Sequence, residues 1–224
     1  IPILKLLEQE DDDLKLLVDY IYENVFKGYT MKQWGLNPDE LDKSVTGRIP
    51  VYVSRDNRYF QDKYQGIPKE GYTKMFEKIL DHPNIDVKLN INGLKLAKTV
   101  KYDKMIFTGP IDEFFNHKHG PLPYRSLEFK YQTEDQFPFQ EKAQINYPNN
   151  YDFTRITEFA HLTGEFLGKT TMAIEYPKEY KQGVNEPYYP IPKKEHEECF
   201  QKYQKEAKKI EDRVLFAGRL ADYK

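Results

Sequence analysis

An α+β fold follows from three observations. Apolar residues recur at helical spacing before residue 26, a helix–strand–strand-then-glycine run occupies 66–120, and β-rich alternating runs fill 125–176. The expected architecture is a helical segment, a partial α/β layer and an antiparallel β-sheet. Four regions follow: 1–65, helical; 66–120, partial α/β; 121–192, antiparallel sheet; 193–224, a helix and strand returning to the α/β layer.

Residues 1–10 form a weakly amphipathic lead-in. Asp11-Asp12-Asp13 can cap a helix, because acidic side chains suit its amino end. Leu14, Leu17, Val18, Ile21 and Val25 then mark one helical face, which Gly28 interrupts or ends. Asn37-Pro38-Asp39-Glu40 reads as the cap of a short second helix. Arg48–Val53 is extended by pattern, and Asp56-Asn57-Arg58 is a turn. From Gly71 to Leu80, Met75, Phe76, Ile79 and Leu80 share a helical face. Ile85–Leu89 is expected to be a strand, and Lys104–Thr108 a buried strand opening into Gly109-Pro110. Arg125–Tyr131, Lys142–Tyr147, Arg155–His161 and Lys169–Tyr176 alternate between turn clusters, as an antiparallel sheet does, with Tyr176-Pro177 ending it. Gly183–Pro192 is an irregular loop, Lys193–Ile210 a charged amphipathic helix, and Val214–Ala217 a buried strand entering Gly218-Arg219.

Composition excludes several functions. The net charge of -2 gives no basic field for nucleic acid. No apolar run approaches the roughly 18 residues of a membrane helix, and no signal peptide is visible. The single cysteine, Cys199, rules out a disulfide framework and a CxxC metal site, which fits a reducing, cytoplasmic compartment. The five histidines show no HExxH pattern, and His117 and His119 read as solvent-facing turn residues. No metal site is expected.

The stretch from Phe26 to Tyr59 is the densest in chemistry. It holds the only tryptophan, Trp34, and joins it to Arg48, Tyr52, Arg55, Arg58 and Tyr59. Aromatic faces and guanidinium forks suit a sugar nucleotide, with a ring on the base and a fork on the diphosphate. Core packing for the tryptophan and plain surface for the arginines are the alternatives.

The order of short motifs is more specific. Lys27-Gly28-Tyr29-Thr30 with Lys32-Gln33-Trp34-Gly35, Arg48-Ile49-Pro50-Val51, Asp56-Asn57-Arg58-Tyr59-Phe60, Thr108-Gly109-Pro110-Ile111-Asp112, Leu122-Pro123-Tyr124-Arg125-Ser126-Leu127, Thr154-Arg155-Ile156, Glu186-Pro187-Tyr188-Tyr189-Pro190 and Gly218-Arg219-Leu220-Ala221 follow one another. In this order the chain, from about residue 20 onward, resembles the UDP-galactopyranose mutase family. These flavoenzymes interconvert UDP-galactopyranose and UDP-galactofuranose for galactofuranose-containing cell-surface glycans.

The resemblance implies a set of roles. Phe26, Tyr29 and Trp34 would line the uridine and sugar pocket. Arg48, on a mobile loop near 48–60, and Arg155 would grip the diphosphate as the catalytic electrostatic pair. Tyr59 and Tyr189 would supply phosphate-binding hydroxyls, and Asn146 a sugar contact. Arg219 would contact FAD, and Val87 its adenine side through backbone atoms. Where many relatives carry an aromatic pair this chain has Val25-Phe26, so no uracil contact is carried over to position 25.

In the family the nucleophile is N5 of reduced FAD, which forms a covalent adduct with the sugar. That accounts for the lack of a Ser-His-Asp set or carboxylate dyad. The α/β layer then belongs to a flavin domain, yet no GxGxxG occurs in the chain. The expectation is a fragment of a longer protein that by itself binds flavin poorly and does not turn over. A homodimer is also implied. The competing readings are another amine-oxidase-type FAD enzyme and a non-catalytic sugar-nucleotide-binding protein.

Overall fold

The Asp11 carboxylate accepts from the amides of Asp13 and Leu14, at 3.1 and 3.0 Å, and so starts helix α2 (Asp12–Ile21) after the short α1 (Ile3–Leu7). The structure, a computed structural model, describes residues 3–43, 45, 51–52, 54–56 and 62–224. Ile3 and Leu6 bury against Val18, with Leu14 and Ile21 beside them. Leu17 and Val25, expected on the same face, are instead exposed. One short helix covers only a narrow stripe, and a π-helical turn at Tyr22–Lys27 rotates Val25 outward.

Gly28 does not break the helix. It has helical dihedrals and begins α3 (Gly28–Trp34), which ends where Gly35 takes φ +68° and donates to Met31 O at 2.8 Å. A 3-10 turn at Pro38–Glu40 follows, with a reciprocal capping box between Asn37 and Glu40. The Arg48–Val53 strand and the Asp56–Arg58 turn lie largely outside the described residues.

Helix α4 (Gly71–Leu80) forms as expected, but Phe76 and Ile79 on its apolar face are exposed among the described residues. Ile85–Leu89 takes no ladder partner and is not a strand, because no neighbouring strand among the described residues lies beside it. Asn92 caps a short helix, α5 (Gly93–Ala97), which the sequence pattern did not reveal. Strand β1 (Met105–Phe107) pairs in parallel with β7 (Val214–Phe216). Both were expected to be buried, yet Ile106 and Leu215 face solvent on one side.

Helix α6 (Ile111–Phe114) leads to the main sheet, in the order β3-β4-β5-β2-β6. Its strands are β2 (Tyr124–Glu134), β3 (Gln144–Asn146), β4 (Arg155–Glu158), β5 (Thr170–Glu179) and β6 (Tyr189–Pro190), all antiparallel. The Arg155–His161 run turns helical at α7 (Phe159–Thr163).

Strand β5 does not stop at Pro177 but continues to Glu179, with Pro177 opposite Leu127. Glu175 O accepts from Thr154 N, so residues of that parity face β4. Strand β4 begins only at Arg155, opposite Glu175, so the missing N–H of Pro177 has no ladder partner to lose on that side.

Helix α8 (Lys194–Lys208) buries Phe200 and Tyr203 in a core with Ile111, Leu122, Tyr124 and Tyr223. Asp112 is buried there, accepting from Leu122 N at 2.8 Å, Tyr124 OH at 3.1 Å and His117 Nδ1 at 3.2 Å. His117 is therefore a half-buried partner of Asp112 rather than a free turn residue.

Candidate functional site

Cross-strand partners point to the same face of a sheet. The register sets Asn146 opposite Arg155, Arg155 opposite Glu175, Glu175 opposite Phe129, and Arg125 opposite Tyr189. Phe129 and Arg125 lie four residues apart on one strand. Asn146, Arg155, Glu175, Phe129, Arg125 and Tyr189 therefore share a face, and α3 lies across it.

Two cations fix α3 there. Arg125 Nε donates to Gln33 O at 2.9 Å and Nη2 to Lys32 O at 3.4 Å, which satisfies carbonyls at the helix carboxyl end. Lys32 Nζ donates to Tyr147 O, to Tyr151 O at 2.9 Å and to Phe153 O at 2.8 Å. The resemblance quoted both residues without giving them a role. A lysine or arginine in a motif carries no sign that its partners are backbone carbonyls remote in sequence.

Gly28 lets the helix approach the loop after β3. A Cβ there would meet Asn149 Oδ1 at 2.2 Å and Pro148 O at 2.5 Å. Gly28→Ala should therefore lower stability by about 2 kcal/mol, an overpacking cost, despite alanine's better helix propensity. Urea unfolding of the variant checks this.

The candidate residues then meet. Arg155 Nη2 donates to Tyr29 OH, and Arg155 Nε lies 3.4 Å from Glu175 Oε1. Thr154 Oγ1 donates to the same carboxylate oxygen at 3.0 Å. Burial pulls the Arg155 guanidinium down, but Tyr29 and Glu175 outweigh it and hold its pKa above the ordinary value. Burial pushes the Tyr29 phenol up against the opposing pull of Arg155, so it is a neutral donor at pH 7. The Trp34 ring meets Tyr189 edge-on, with centroids 6.2 Å apart. The Arg219 guanidinium lies over the Tyr189 ring, 5.0 Å from its centroid. Asn146 stands exposed beside Arg155.

Arg155 Nε and Gln33 Oε1 are buried polar atoms without a hydrogen-bond partner among the described residues. A cleft of about 760 Å³ opens beside Trp34 and Arg125, with Asp112, His117, Lys193 and His196 also lining it. A second cleft of about 540 Å³, between α8 and β7, contains none of the candidate residues.

Phe26 and Val87 do not join this group. Phe26 is half-buried against the core of α1 and α2. Val87 is 49% exposed, in the segment without a ladder partner. Arg48 and Tyr59 lie outside the described residues. Glu175 was missed in the sequence, because nothing in a β-run marks which carboxylate will oppose an arginine. Among the described residues no cluster of His, Cys, Asp or Glu could hold a metal ion. No helix there is long and apolar enough to cross a membrane.

The family profile described as UDP-galactopyranose mutase matches residues 24–224. The chain is 36% identical over 219 residues to a probable UDP-galactopyranose mutase of Klebsiella pneumoniae, covering 96% of this chain and 56% of that protein. It is 34% identical over 225 residues to the dTDP-fucopyranose mutase of Escherichia coli, covering 96% and 58%. With the UDP-galactopyranose mutase of Mycoplasma genitalium the identity is 35% over 222 residues, covering 92% and 55%. The chain thus spans a little over half the length of the curated relatives it matches. A crystal structure of reduced UDP-galactopyranose mutase superposes with a TM-score of 0.64 over 99% of this chain and 66% of that one, at 14% identity, and shares the fold. With its motifs in family order and the family profile matched from residue 24 to 224, the chain belongs to the UDP-galactopyranose mutase family.

Proposed function

We propose that the polypeptide carrying this chain is an isomerase that interconverts UDP-galactopyranose and UDP-galactofuranose with reduced FAD. The observation that supports this most is the guanidinium of Arg155. It is seated on the buried Glu175 and bonded to Tyr29, and it feels the field of Tyr189, which Trp34 and Arg219 both contact.

Each residue then has work to do. Arg155 faces the diphosphate, and each charge-assisted bond it makes there is roughly twice as strong as a neutral one. Tyr29 and Tyr189 add neutral donors without adding charge. Trp34 offers a face to the base or sugar, and Asn146 an amide to the sugar hydroxyls. Arg48 and Tyr59 complete the diphosphate site from the 48–60 loop, and Phe26 supports the uridine end of α3. The cell-surface glycan role and a homodimer belong to the same reading.

The residues present fit a flavin. Arg219 has no carboxylate partner among the described residues and stacks on Tyr189 just past the carboxyl end of β7. The carboxyl ends of parallel strands are where α/β layers bind ligands. Arg219 would hold the flavin there, and Val87 would meet its adenine side through backbone atoms. When bound, the reduced flavin supplies a nucleophile that no side chain in this group provides.

The similarity to a dTDP-fucopyranose mutase favours a second reading, in which the substrate is a dTDP-sugar whose pyranose lacks the 6-hydroxyl. One experiment addresses both. The intact natural polypeptide, loaded with FAD and reduced by dithionite, is given UDP-galactofuranose and a dTDP-fucofuranose standard in parallel. Conversion of the UDP-sugar to pyranose is expected, with at least tenfold slower conversion of the dTDP-sugar. The reverse preference would establish the second reading. No conversion of either by the reduced, flavin-loaded protein would refute both.

A further inference from the structure

We infer that Lys32 is a positioning residue for the diphosphate site, acting through Arg155 and Tyr29. The inference rests on the reading that those two groups hold the diphosphate.

Lys15, Lys27, Lys74 and Lys78 each pair with a carboxylate, within their own helix or beside it. Lys32 differs. Its ammonium meets three backbone carbonyls, of Tyr147, Tyr151 and Phe153, and none of the ion pairs among the described residues includes it. All three acceptors come from the single loop between β3 and β4. An ammonium has three N–H donors, and here one loop takes them all.

That loop begins just after Asn146 and ends just before Thr154-Arg155. It is closed at its root by Tyr147 N donating to Thr154 O at 2.8 Å. Its own rings stiffen it, with Tyr147, Tyr151 and Phe153 in mutual contact at centroid distances of 4.9 to 5.4 Å. Fixing the loop therefore fixes where Arg155 leaves it.

Lys32 is one helical turn beyond Tyr29 and two residues before Trp34, on the same short helix. The Lys32 latch and the close approach at Gly28 set the height of α3 over the loop. That height sets the separation between the Tyr29 hydroxyl and the Arg155 guanidinium. A loop free of the ammonium would leave Arg155 with the same charge and less fixed geometry.

The test is a double-mutant cycle on UDP affinity, read by titration calorimetry in the intact polypeptide without any need for turnover. Lys32→Ala should raise the UDP Kd about tenfold, equivalent to about 1.4 kcal/mol. In an Arg155→Ala background the same substitution should add less than a twofold loss, because Lys32 acts through Arg155. An unchanged Kd in folded Lys32→Ala, or a further tenfold loss in the Arg155→Ala background, would overturn the inference. A fall in Tm with no loss of UDP affinity would likewise reduce Lys32 to a structural role and overturn it. If Lys32→Ala does not fold, Lys32→Gln, which keeps two of the donors, is judged by the same criteria. Arg155→Ala that binds UDP normally would instead refute the diphosphate reading itself.

Discussion

Arg155→Met should weaken UDP binding by roughly a hundredfold and lower stability by about 2 kcal/mol. In the proposed diphosphate site this removes two charge-assisted hydrogen bonds, each worth about 1.5–3 kcal/mol, and about 2.8 kcal/mol corresponds to two decades in Kd. The stability term has a different origin. Glu175 is buried, and Arg155 is its charge partner. Removing one member of a buried pair costs about 3–5 kcal/mol. The Arg155 side chain is 26% exposed, and Thr154 Oγ1 still donates to the carboxylate, so a smaller loss than this range, about 2 kcal/mol, is expected.

The two effects separate in a double variant. Arg155→Met with Glu175→Gln should regain most of the stability and none of the UDP affinity. Urea unfolding and calorimetric titration of both variants read the two quantities. Normal UDP binding by Arg155→Met would remove the diphosphate assignment.

Glu158→Ala should cost about 3 kcal/mol of stability and leave UDP affinity unchanged. Glu158 is fully buried, and its two oxygens accept from Phe139 N and Gln140 N, both at 2.9 Å. The alanine leaves two amides of a turn without partners, at about 1–3 kcal/mol each. By strand alternation Glu158 points to the face opposite Arg155.

The same carboxylate gives a pH dependence. Burial pushes its pKa up, but the two amides and the nearby His161 outweigh this and hold it below the ordinary 4.5. A group with a depressed folded pKa contributes its full stability above the unfolded value and loses it as pH falls through the folded one. Stability should therefore decline from about pH 4.5 downward, and Glu158→Gln should flatten that decline. Thermal melts of both proteins between pH 3 and 7 test it. A slope unchanged by Glu158→Gln would mean another group carries the acid limb.

Local chemistry made much of the fold legible. Asp11 was readable as a cap because a carboxylate at that point can only serve nearby amides. Gly71–Leu80 and Lys194–Lys208 were readable from periodicity, and the four main strands from alternation. What failed depended on neighbours. Gly28 was read as a breaker because glycine is a poor helix former, whereas its role is to admit Asn149 and Pro148. Ile85–Leu89 has the composition of a strand, but a strand needs a ladder partner. Pro177 was read as a stop because the pattern cannot show that β4 does not extend opposite it.

The candidate site was legible as a set of residues and not as a geometry. Tyr29, Trp34, Arg155, Tyr189 and Arg219 were named from motif order, and they meet. The parts that Glu175, Lys32 and Arg125 play in holding them in place emerge only from register and hydrogen bonds.

Two of the ladders, β2–β5 and β1–β7, differ in how far apart their partners lie along the chain. Strands β2 and β5 join over ten consecutive residue pairs, from Arg125–Glu179 to Glu134–Thr170, and enclose only residues 135–169, which carry β3, β4 and α7. Strands β1 and β7 join over only three, and nearly half the polypeptide must be gathered between them. Loop closure grows costlier with the length enclosed, and three short pairs return little. The long antiparallel pair is thus expected to form the frame first, and the β1–β7 pair, with Arg219 just beyond it, to close after it.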